Sequence, residues 1–160
     1  MCIRDRKKIV LTAACVMIAV FIATLALWDK PRYAIELVLE RNDIEQAAQE
    51  YFKAEMDRDF VKLYTFLAPS STYRRTHTYE QFLEDVSGSP VTIKTYRIVD
   101  IYRLRGNHDA ATYPAVSRFV QVEVDVDVGF TDTNARSTCN YCFTFIKDCL
   151  LYTSPSPRDS

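Results

Sequence analysis

The chain has 160 residues, with 20 basic and 21 acidic side chains and a net charge of −1. This balance excludes the strongly basic surface of a nucleic-acid-binding protein, so we expect no nucleic-acid partner. About 115 residues follow an N-terminal apolar segment, which is enough for one domain and no more.

Both ends of the chain look like translated sequencing adapter. Residues 1–6 and 149–159 back-translate to two nucleotide strings, and the first string is the reverse complement of the start of the second. This inverted relation resembles the transposase adapter used to prepare sequencing libraries. Residues 1–6 and 149–160 are therefore treated as artefact, like an expression tag, and we expect the natural protein to continue beyond residue 148.

Residues 7–148 keep nearly the same composition without these end segments. Three of the 20 basic and two of the 21 acidic residues lie in the ends, so residues 7–148 carry a net charge of −2. Three cysteines remain, Cys15, Cys139 and Cys142. An odd number with one member in an apolar segment does not indicate a disulfide framework.

Residues 9–28 form an apolar segment of twenty residues without a charged residue, glycine or proline. A helix of this length covers about 30 Å at ~1.5 Å per residue, which spans a bilayer core. Lys7 and Lys8 precede the segment and Trp28 closes it, so the positive-inside tendency places the domain outside the cytoplasm; Lys30 and Arg32 weaken that orientation. The length favours an anchor over a cleavable signal peptide, whose apolar core runs about 7 to 15 residues and whose removal would leave the domain secreted.

An anchor and linker over residues 7–32 are predicted to precede a domain over residues 33–148. Asn42 and Glu45 have the spacing of a capping box, and the apolar face that begins at Ile44 predicts a first domain helix over residues 43–57.

Two shorter helices are predicted next. Asp59 is the expected N-cap of the second helix, which Pro69 and the following serines end. Thr78 and Gln81 form a further capping-box signal, and Gly88 ends the third helix. The segment between these two helices is expected to be a solvated loop.

Beyond Pro90 the apolar period changes from 3.6 to 2, which predicts strands. A long half-buried strand alternates apolar with polar residues over residues 116–130, and its inward residues are predicted to be Val116, Val120, Val122, Val124, Val126, Val128 and Phe130. A turn over residues 131–136 leads to a returning strand whose common face carries Cys139, Tyr141, Phe143 and Phe145.

Residues 91–105 are also strand-like, but two faces compete for the inward position. Val91, Ile93, Val99 and Ile101 share one face, while Tyr96, Ile98, Tyr102 and Leu104 share the other. A β-bulge near Thr95 would reconcile the two patterns. Helices first and antiparallel strands last predict an α+β domain with its helices on one face of a curved, cone-like or cystatin-like sheet.

This layout resembles the nuclear transport factor 2-like superfamily. The similar segments are IEQAAQEYFKAEMDRDFVKLYTFL, TYEQFLEDV and VQVEVDVDVGFTDTNARSTCNYCFTFIKD, which cover most of residues 43–148. The resemblance extends to the N-terminal non-catalytic domain of penicillin-binding transpeptidases and to small membrane-tethered relatives. It implies a cone of three helices closed against a bent sheet, and a further strand after residue 148, so the domain is expected to be incomplete.

Three groups of side chains are candidates for chemistry. Cys139 and Cys142 have CxxC spacing, but residues three apart in a strand point to opposite faces, so a core thiol and an incidental thiol are expected. Arg74, Arg75 and His77 precede a helix start and are candidates to hold an anion, although a solvated loop is the simpler interpretation. The acidic row of one strand is expected only to solvate the outer face; it contains Glu123, Asp125 and Asp127.

Asp100 is the only carboxylate that poses a catalytic question. It lies among apolar residues, and an inward carboxylate would have a raised pKa and could act as a general acid or base. No motif supplies a partner for it, so no residue is predicted to be catalytic, no metal site and no cofactor are predicted, and the ligand is unknown.

The sequence therefore predicts a non-catalytic extracytoplasmic binding or assembly module. It is tethered to the membrane through residues 9–28, either alone or as the first domain of a longer envelope protein. Two alternatives remain open: a small-molecule-binding or enzymatic cone-fold domain, and a secretion-channel assembly subunit.

Overall fold

The computed structural model describes residues 3–107, 110–111, 113–114, 116–148 and 151–153; the side chains of residues 3–8, 29, 103, 104, 148 and 151–153 lie outside this description. The chain is α+β, with an N-terminal apolar helix, further helices and a four-stranded antiparallel sheet. It divides into two compact units, Met1–Val38 and Leu39–Ser160.

The apolar helix α1 spans Ile3–Leu27. Its part Ile9–Leu27 is long and apolar enough to cross a membrane, with a mean hydropathy of 2.7 and 0% burial. A helix of this kind near the N-terminus is compatible with a membrane anchor or a signal sequence. The predicted apolar segment is therefore a helix without buried residues over Ile9–Leu27.

Helix α2 spans Asp29–Asp57, so the predicted helix start at residue 43 is wrong. Asn42 lies inside the helix, and Glu45 accepts a hydrogen bond from Gln49 rather than capping a helix start. Asn costs a helix interior less than about 0.7 kcal/mol relative to Ala, whereas a helix end would leave several amide groups without partners. The predicted end at residue 57 is confirmed, and Arg58 follows in the left-handed region with φ 52°.

Three short helices follow: α3 over Phe60–Phe66, α4 over Thr72–Thr76 and α5 over Tyr79–Ser87. The predicted caps are confirmed, since Asp59 accepts from the Lys62 amide at 3.0 Å and Thr78 forms a reciprocal capping box with Gln81. The expected loop between the helices is wrong, because Ser71 caps α4 through the Arg74 amide at 3.1 Å.

The sheet has the order β1-β2-β3-β4, with β1 over Val91–Gly106, β2 over Val116–Phe130, β3 over Arg136–Asp148 and β4 over Leu151–Thr153. The predicted hairpin of β2 and β3 is confirmed by an antiparallel register from Val116↔Asp148 to Gly129↔Arg136. The predicted inward valines are also buried, and the five from residue 120 to 128 are Val120, Val122, Val124, Val126 and Val128. The face that they form is called the inner face, and the opposite face is the outer face.

Strand β1 resolves its competing patterns with more than one bulge. The register shifts between Ile93 and Thr95, near the predicted position, and again between Ile98 and Asp100. The second shift brings Ile101 opposite Val122 on the inner face. A third shift follows Tyr102. The side chain of Leu104, which belonged to one of the two predicted patterns, lies outside the described residues.

Strand β4 lies in the segment predicted to be adapter-derived. Leu151–Thr153 pairs antiparallel with residues 146–148 of β3 and adds a fourth strand to the sheet. Residues 153–160 are predicted to protrude without packing, but Thr153 belongs to β4; residues 149, 150 and 154–160 lie outside the described residues.

Aromatic contacts join α2 to the inner face of the sheet. Phe52 has 0% exposure and its ring centroid lies 5.2 Å from that of Tyr96 and 4.8 Å from that of Phe143. Tyr51 lies 5.9 Å from Phe145 in an edge-to-face arrangement. These contacts place the C-terminal half of α2 across all three long strands, since the valines of β2 lie between β1 and β3.

Candidate binding groove

A groove of about 510 Å³ lies between the C-terminal half of α2 and one end of the inner face. Its lining comes from α2, from the start of β1 and from the adjacent ends of β2 and β3. The lining residues are Tyr51, Phe52, Glu55, Ser89, Pro90, Val91, Ile93, Val126, Val128, Phe130, Cys139, Tyr141 and Phe143. We call this feature the groove.

The groove forms because the helical period of α2 and the alternation of the strands place its lining residues on facing surfaces. Tyr51 and Glu55 are four residues apart on α2, which places both on one side of the helix. Val126 lies opposite Tyr96 on β1 and Cys139 on β3, so alternate residues of three strands share the inner face. The helices cover this part of the inner face incompletely. Val91 and Tyr141 therefore remain 40% and 39% exposed.

A few polar groups border this apolar surface. Among its described lining residues the groove has one carboxylate, Glu55, and no histidine. A hydrogen bond with Cys139, and then the charge of its thiolate form, raise the pKa of Tyr141 above its usual range. Tyr141 therefore stays a neutral phenol at physiological pH, able to donate or accept a hydrogen bond at the rim.

A smaller cavity of about 70 Å³ adjoins the groove. Both are lined by Tyr51, Glu55, Ser89, Val91 and Ile93, and the small cavity continues toward α3 and α5 through Leu63, Leu67 and Phe82. A space of this size holds a few water molecules and no larger ligand. The groove is thus the larger site, and the small cavity is an extension of it toward the helices.

The two cysteines of the CxxC motif lie on different faces of β3. Cys139 is opposite Val126 and lines the groove, whereas Cys142 is opposite Glu123 on the outer face, where its Sγ lies 3.1 Å from the Tyr102 hydroxyl. Both thiols are free. The three-residue spacing thus separates the thiols, as β-strand geometry requires, and only Cys139 belongs to the groove.

Asp100 does not point into the interior. Its side chain is 54% exposed, and it accepts a hydrogen bond from the Arg41 guanidinium at 3.3 Å. The second bulge of β1 places Asp100 opposite Glu123, on the outer face of an edge strand. The condition for a general acid or base, an inward carboxylate, is not met.

The acidic row of β2 is bound into a polar network across the outer face. Asp127 accepts hydrogen bonds from Thr95 at 2.7 Å and Thr138 at 2.6 Å. Asp125 accepts from Asn140 at 2.8 Å and pairs with Arg97. These hydrogen bonds lower the pKa of both aspartates, with the Asn140 amide as the main cause for Asp125 and the Thr138 hydroxyl for Asp127.

We call this network the outer ladder. Asn140 also donates to Glu123 at 3.1 Å, so all three acidic residues of β2 take part in cross-strand contacts. Among the described residues no group of three or more His, Cys, Asp and Glu side chains is arranged to hold a metal ion. The outer ladder thus joins three strands through neutral donors and one arginine.

Two members of the predicted basic cluster, Arg74 in α4 and His77 at its C-cap, pack on aromatic rings. The Arg74 guanidinium carbon lies 3.4 Å from the centroid of the Tyr64 ring. The rings of Tyr73 and His77 stack at 4.2 Å with an interplanar angle of 5°. These side chains therefore stabilise the α3–α4 region through cation–π and stacking contacts.

The sequence indicated most of the groove lining. The alternation of β3 placed Cys139, Tyr141 and Phe143 on one face, and the helical period placed Tyr51 and Phe52 toward the sheet. The bulge predicted near Thr95 allows Val91 and Ile93 to share the inner face with Tyr96, and the register of β1 confirms this arrangement. A comparison of the chain with protein-family models, curated proteins and solved structures finds no match.

Proposed function

We propose that this protein is a membrane-tethered, extracytoplasmic binding module that holds a small, largely apolar ligand in the groove without transforming it. The observation that carries the proposal is the groove itself. Its volume of about 510 Å³ lies within the range of about 300 to 1,000 Å³ of small-molecule sites. An apolar lining with a few polar groups at the border is also typical of such sites.

The groove lining supports binding over catalysis. A nucleophile needs a base within hydrogen-bond reach that accepts its proton. The neighbour of Cys139 is Tyr141, whose raised pKa keeps it a neutral phenol, so it is not such a base. Glu55 is the only carboxylate of the described lining, and Asp100 lies elsewhere. The enzymatic alternative therefore has no observation in its favour, and neither has a role in a secretion channel.

The cone-shaped fold of the nuclear transport factor 2-like superfamily and the adapter origin of the chain ends are part of the proposal. The fold is supported by the order and spacing of helices and strands, and the adapter origin by the inverted relation between the two end segments. An uninterrupted gene would test both: a transpeptidase domain downstream would indicate an envelope protein, and a stop codon after one more strand would indicate a stand-alone module.

The tether is tested by membrane topology. A reporter that is active only outside the cytoplasm, fused after Asp148 and expressed in a bacterium, should be active and should sediment with the membranes. Lys7 and Lys8, which precede the apolar span Ile9–Leu27, provide the physical reason. Activity of a cytoplasm-only reporter would contradict the orientation, and a soluble cleaved product outside the cell would identify a signal peptide instead of an anchor.

The groove is tested by a matched pair of cysteine variants. The probe is anilinonaphthalene sulfonate, measured by fluorescence on the full chain in nanodiscs, with empty nanodiscs as the blank. Cys139→Phe should weaken probe binding several-fold because the new ring occupies the groove. Cys142→Phe should not, because that thiol is on the outer face. Equal binding by both variants and the parent would refute the groove as the site.

A further inference from the structure

The groove combines aromatic rings with a single formal charge. Its aromatic lining residues are Tyr51, Phe52, Phe130, Tyr141 and Phe143. Among the described lining residues there is no lysine, arginine or histidine, and Glu55 is the only one with a charge. The faces of aromatic rings carry a partial negative charge and attract cations. The carboxylate and the rings therefore both favour a positively charged ligand over a negatively charged one.

The charge of Glu55 lies next to apolar surface. Glu55 is half-buried and lines both the groove and the small cavity, as does Ser89, whose hydroxyl accepts a hydrogen bond from the Val91 amide at 3.4 Å. Strand β2 contributes only apolar side chains to the groove, from Val126, Val128 and Phe130. A low local dielectric strengthens electrostatic interactions. A charged group of a ligand should therefore be held more firmly here than on open surface.

The nearby guanidinium group of Arg58 belongs to a different part of the surface. Arg58 lines the small cavity but not the groove. Its Nη2 donates to the carbonyl of Ser87, the last residue of α5, at 3.1 Å, and its guanidinium carbon lies 5.3 Å from the centroid of the Phe60 ring. The C-terminal carbonyls of a helix are a favourable place for a cation. Arg58 is therefore held at the end of α5, and Glu55 sets the sign of the charge in the groove.

We propose that the ligand of the groove is an organic cation, with an apolar body and a protonated primary amine that pairs with Glu55. This rests on the proposed function, since it names the ligand class of the same site. A primary ammonium group has three N–H donors, which suit a carboxylate and a neighbouring hydroxyl such as that of Ser89. The apolar body packs on the aromatic rings, where the positive charge gains further attraction.

Three ligands with one body and different head groups test the charge: phenylbutylamine, phenylbutanol and phenylbutyrate. The measurement is the protection of Cys139 from N-ethylmaleimide on the full chain in nanodiscs, at about pH 6.5, where the amine is protonated. Cys142, on the outer face, is the internal control. The amine should protect Cys139 at a several-fold lower concentration than the alcohol, and the acid should need the highest concentration.

Two variants assign this preference to one carboxylate. Glu55→Gln keeps the shape and removes the charge, so the advantage of the amine over the alcohol should disappear. The same variant should tighten the binding of anilinonaphthalene sulfonate, whose sulfonate has the same sign as Glu55. Asp57→Asn removes a charge two residues further along α2, from an exposed residue outside the groove lining, and should change neither result. An amine advantage that survives Glu55→Gln would overturn the proposal.

Failure of the cation site and failure of the groove give different results. If the three ligands protect Cys139 at equal concentrations, or if the acid protects it best, the groove binds small molecules but is not a cation site. If none of the three protects Cys139 more than Cys142, the groove itself is overturned as a binding site, and the cation site with it. This comparison uses the unaltered chain, so it does not depend on the folding of a variant.

Discussion

The two faces of β2 obey the same alternation but have different roles. The inner face carries valines with 0 to 7% exposure, packed beneath the aromatic residues of α2. The outer face carries Glu123, Asp125 and Asp127, which the outer ladder connects to β1 and β3. The inner face supplies the apolar burial that stabilises the fold and, where the helices leave it open, the groove. The outer face joins the strands through exposed polar contacts at little energetic gain.

The two faces should differ in how strongly substitutions change the stability of the domain. Full burial of a valine contributes about 1.5 to 3 kcal/mol, whereas an exposed ion pair contributes about 0 to 1 kcal/mol. Substitutions should therefore have large effects on the inner face, small effects on the edge and the smallest on the outer face. Four predictions test this order.

The largest expected effect is that of Phe52→Ala. Phe52 is fully buried and contacts both Tyr96 and Phe143, so its truncation removes the packing of α2 on two strands. The free energy of unfolding of the domain should fall by about 3 to 5 kcal/mol. Denaturant unfolding of the full chain in detergent, followed by circular dichroism, measures this loss. A decrease below about 1 kcal/mol would mean that α2 does not pack on the sheet as described.

The next effect comes from a change that keeps shape and adds polarity. Val124 has 0% exposure, so Val124→Thr buries a hydroxyl and should cost about 1 to 3 kcal/mol. The neighbouring Glu123→Gln lies on the outer face and should stay within about 0.5 kcal/mol of the parent. Thermal melts of both variants compare the two faces directly. If the two variants lost equal stability, the assignment of the faces would be wrong.

A smaller effect is expected at the edge of the sheet. The side chains of Arg41 and Asp100 are 48% and 54% exposed, so their ion pair should contribute about 0.2 to 1 kcal/mol. A double-mutant cycle with Arg41→Gln and Asp100→Asn measures the coupling. A coupling of several kcal/mol would show that Asp100 is buried after all and would reopen its candidacy as an acid or base.

The smallest effect is a pH dependence from the outer ladder. Because the pKa values of Asp125 and Asp127 are lowered on folding, their contribution is complete above the ordinary pKa of 3.8 and disappears as pH falls through the lowered values. Stability should therefore decline below about pH 4, and Asn140→Ala should flatten part of that decline. The free energy of unfolding, measured between pH 6 and pH 2.5, tests this prediction. If Asn140→Ala and the parent chain had the same pH profile, the Asn140 amide would not be the cause of the decline.

Local patterns predicted the parts of the fold that short-range chemistry determines. The N-cap of Asp59, the capping box of Thr78 and the alternation of β2 and β3 are set by residues within four positions or by one buried face. The start of α2 failed because Asn42 has the pattern of a cap inside a segment that already favours helix. The cap of α4 was available in Ser71, whose hydroxyl accepts from Arg74, but a proline and several serines nearby indicated a loop.

The second bulge of β1 and the space of the groove are features that no local pattern specifies. The bulge near Thr95 is predicted from the competing apolar patterns of β1, whereas the second bulge, which brings Ile101 opposite Val122, depends on the pairing with β2. The opening at the end of the inner face depends on where the helices stop covering the sheet. A sequence pattern gives the inward faces but not the space left between them.

The central claim, that the inner face binds and the outer face does not, is tested most directly on the unaltered chain. Cys139 and Cys142 are both half-buried thiols of β3, one in the groove and one outside it. Their alkylation rates with N-ethylmaleimide can be followed by peptide mass spectrometry, with and without saturating anilinonaphthalene sulfonate. We predict that the probe slows alkylation of Cys139 several-fold and leaves Cys142 unchanged; equal rates at Cys139 with and without the probe, or equal slowing of both thiols, would contradict the account.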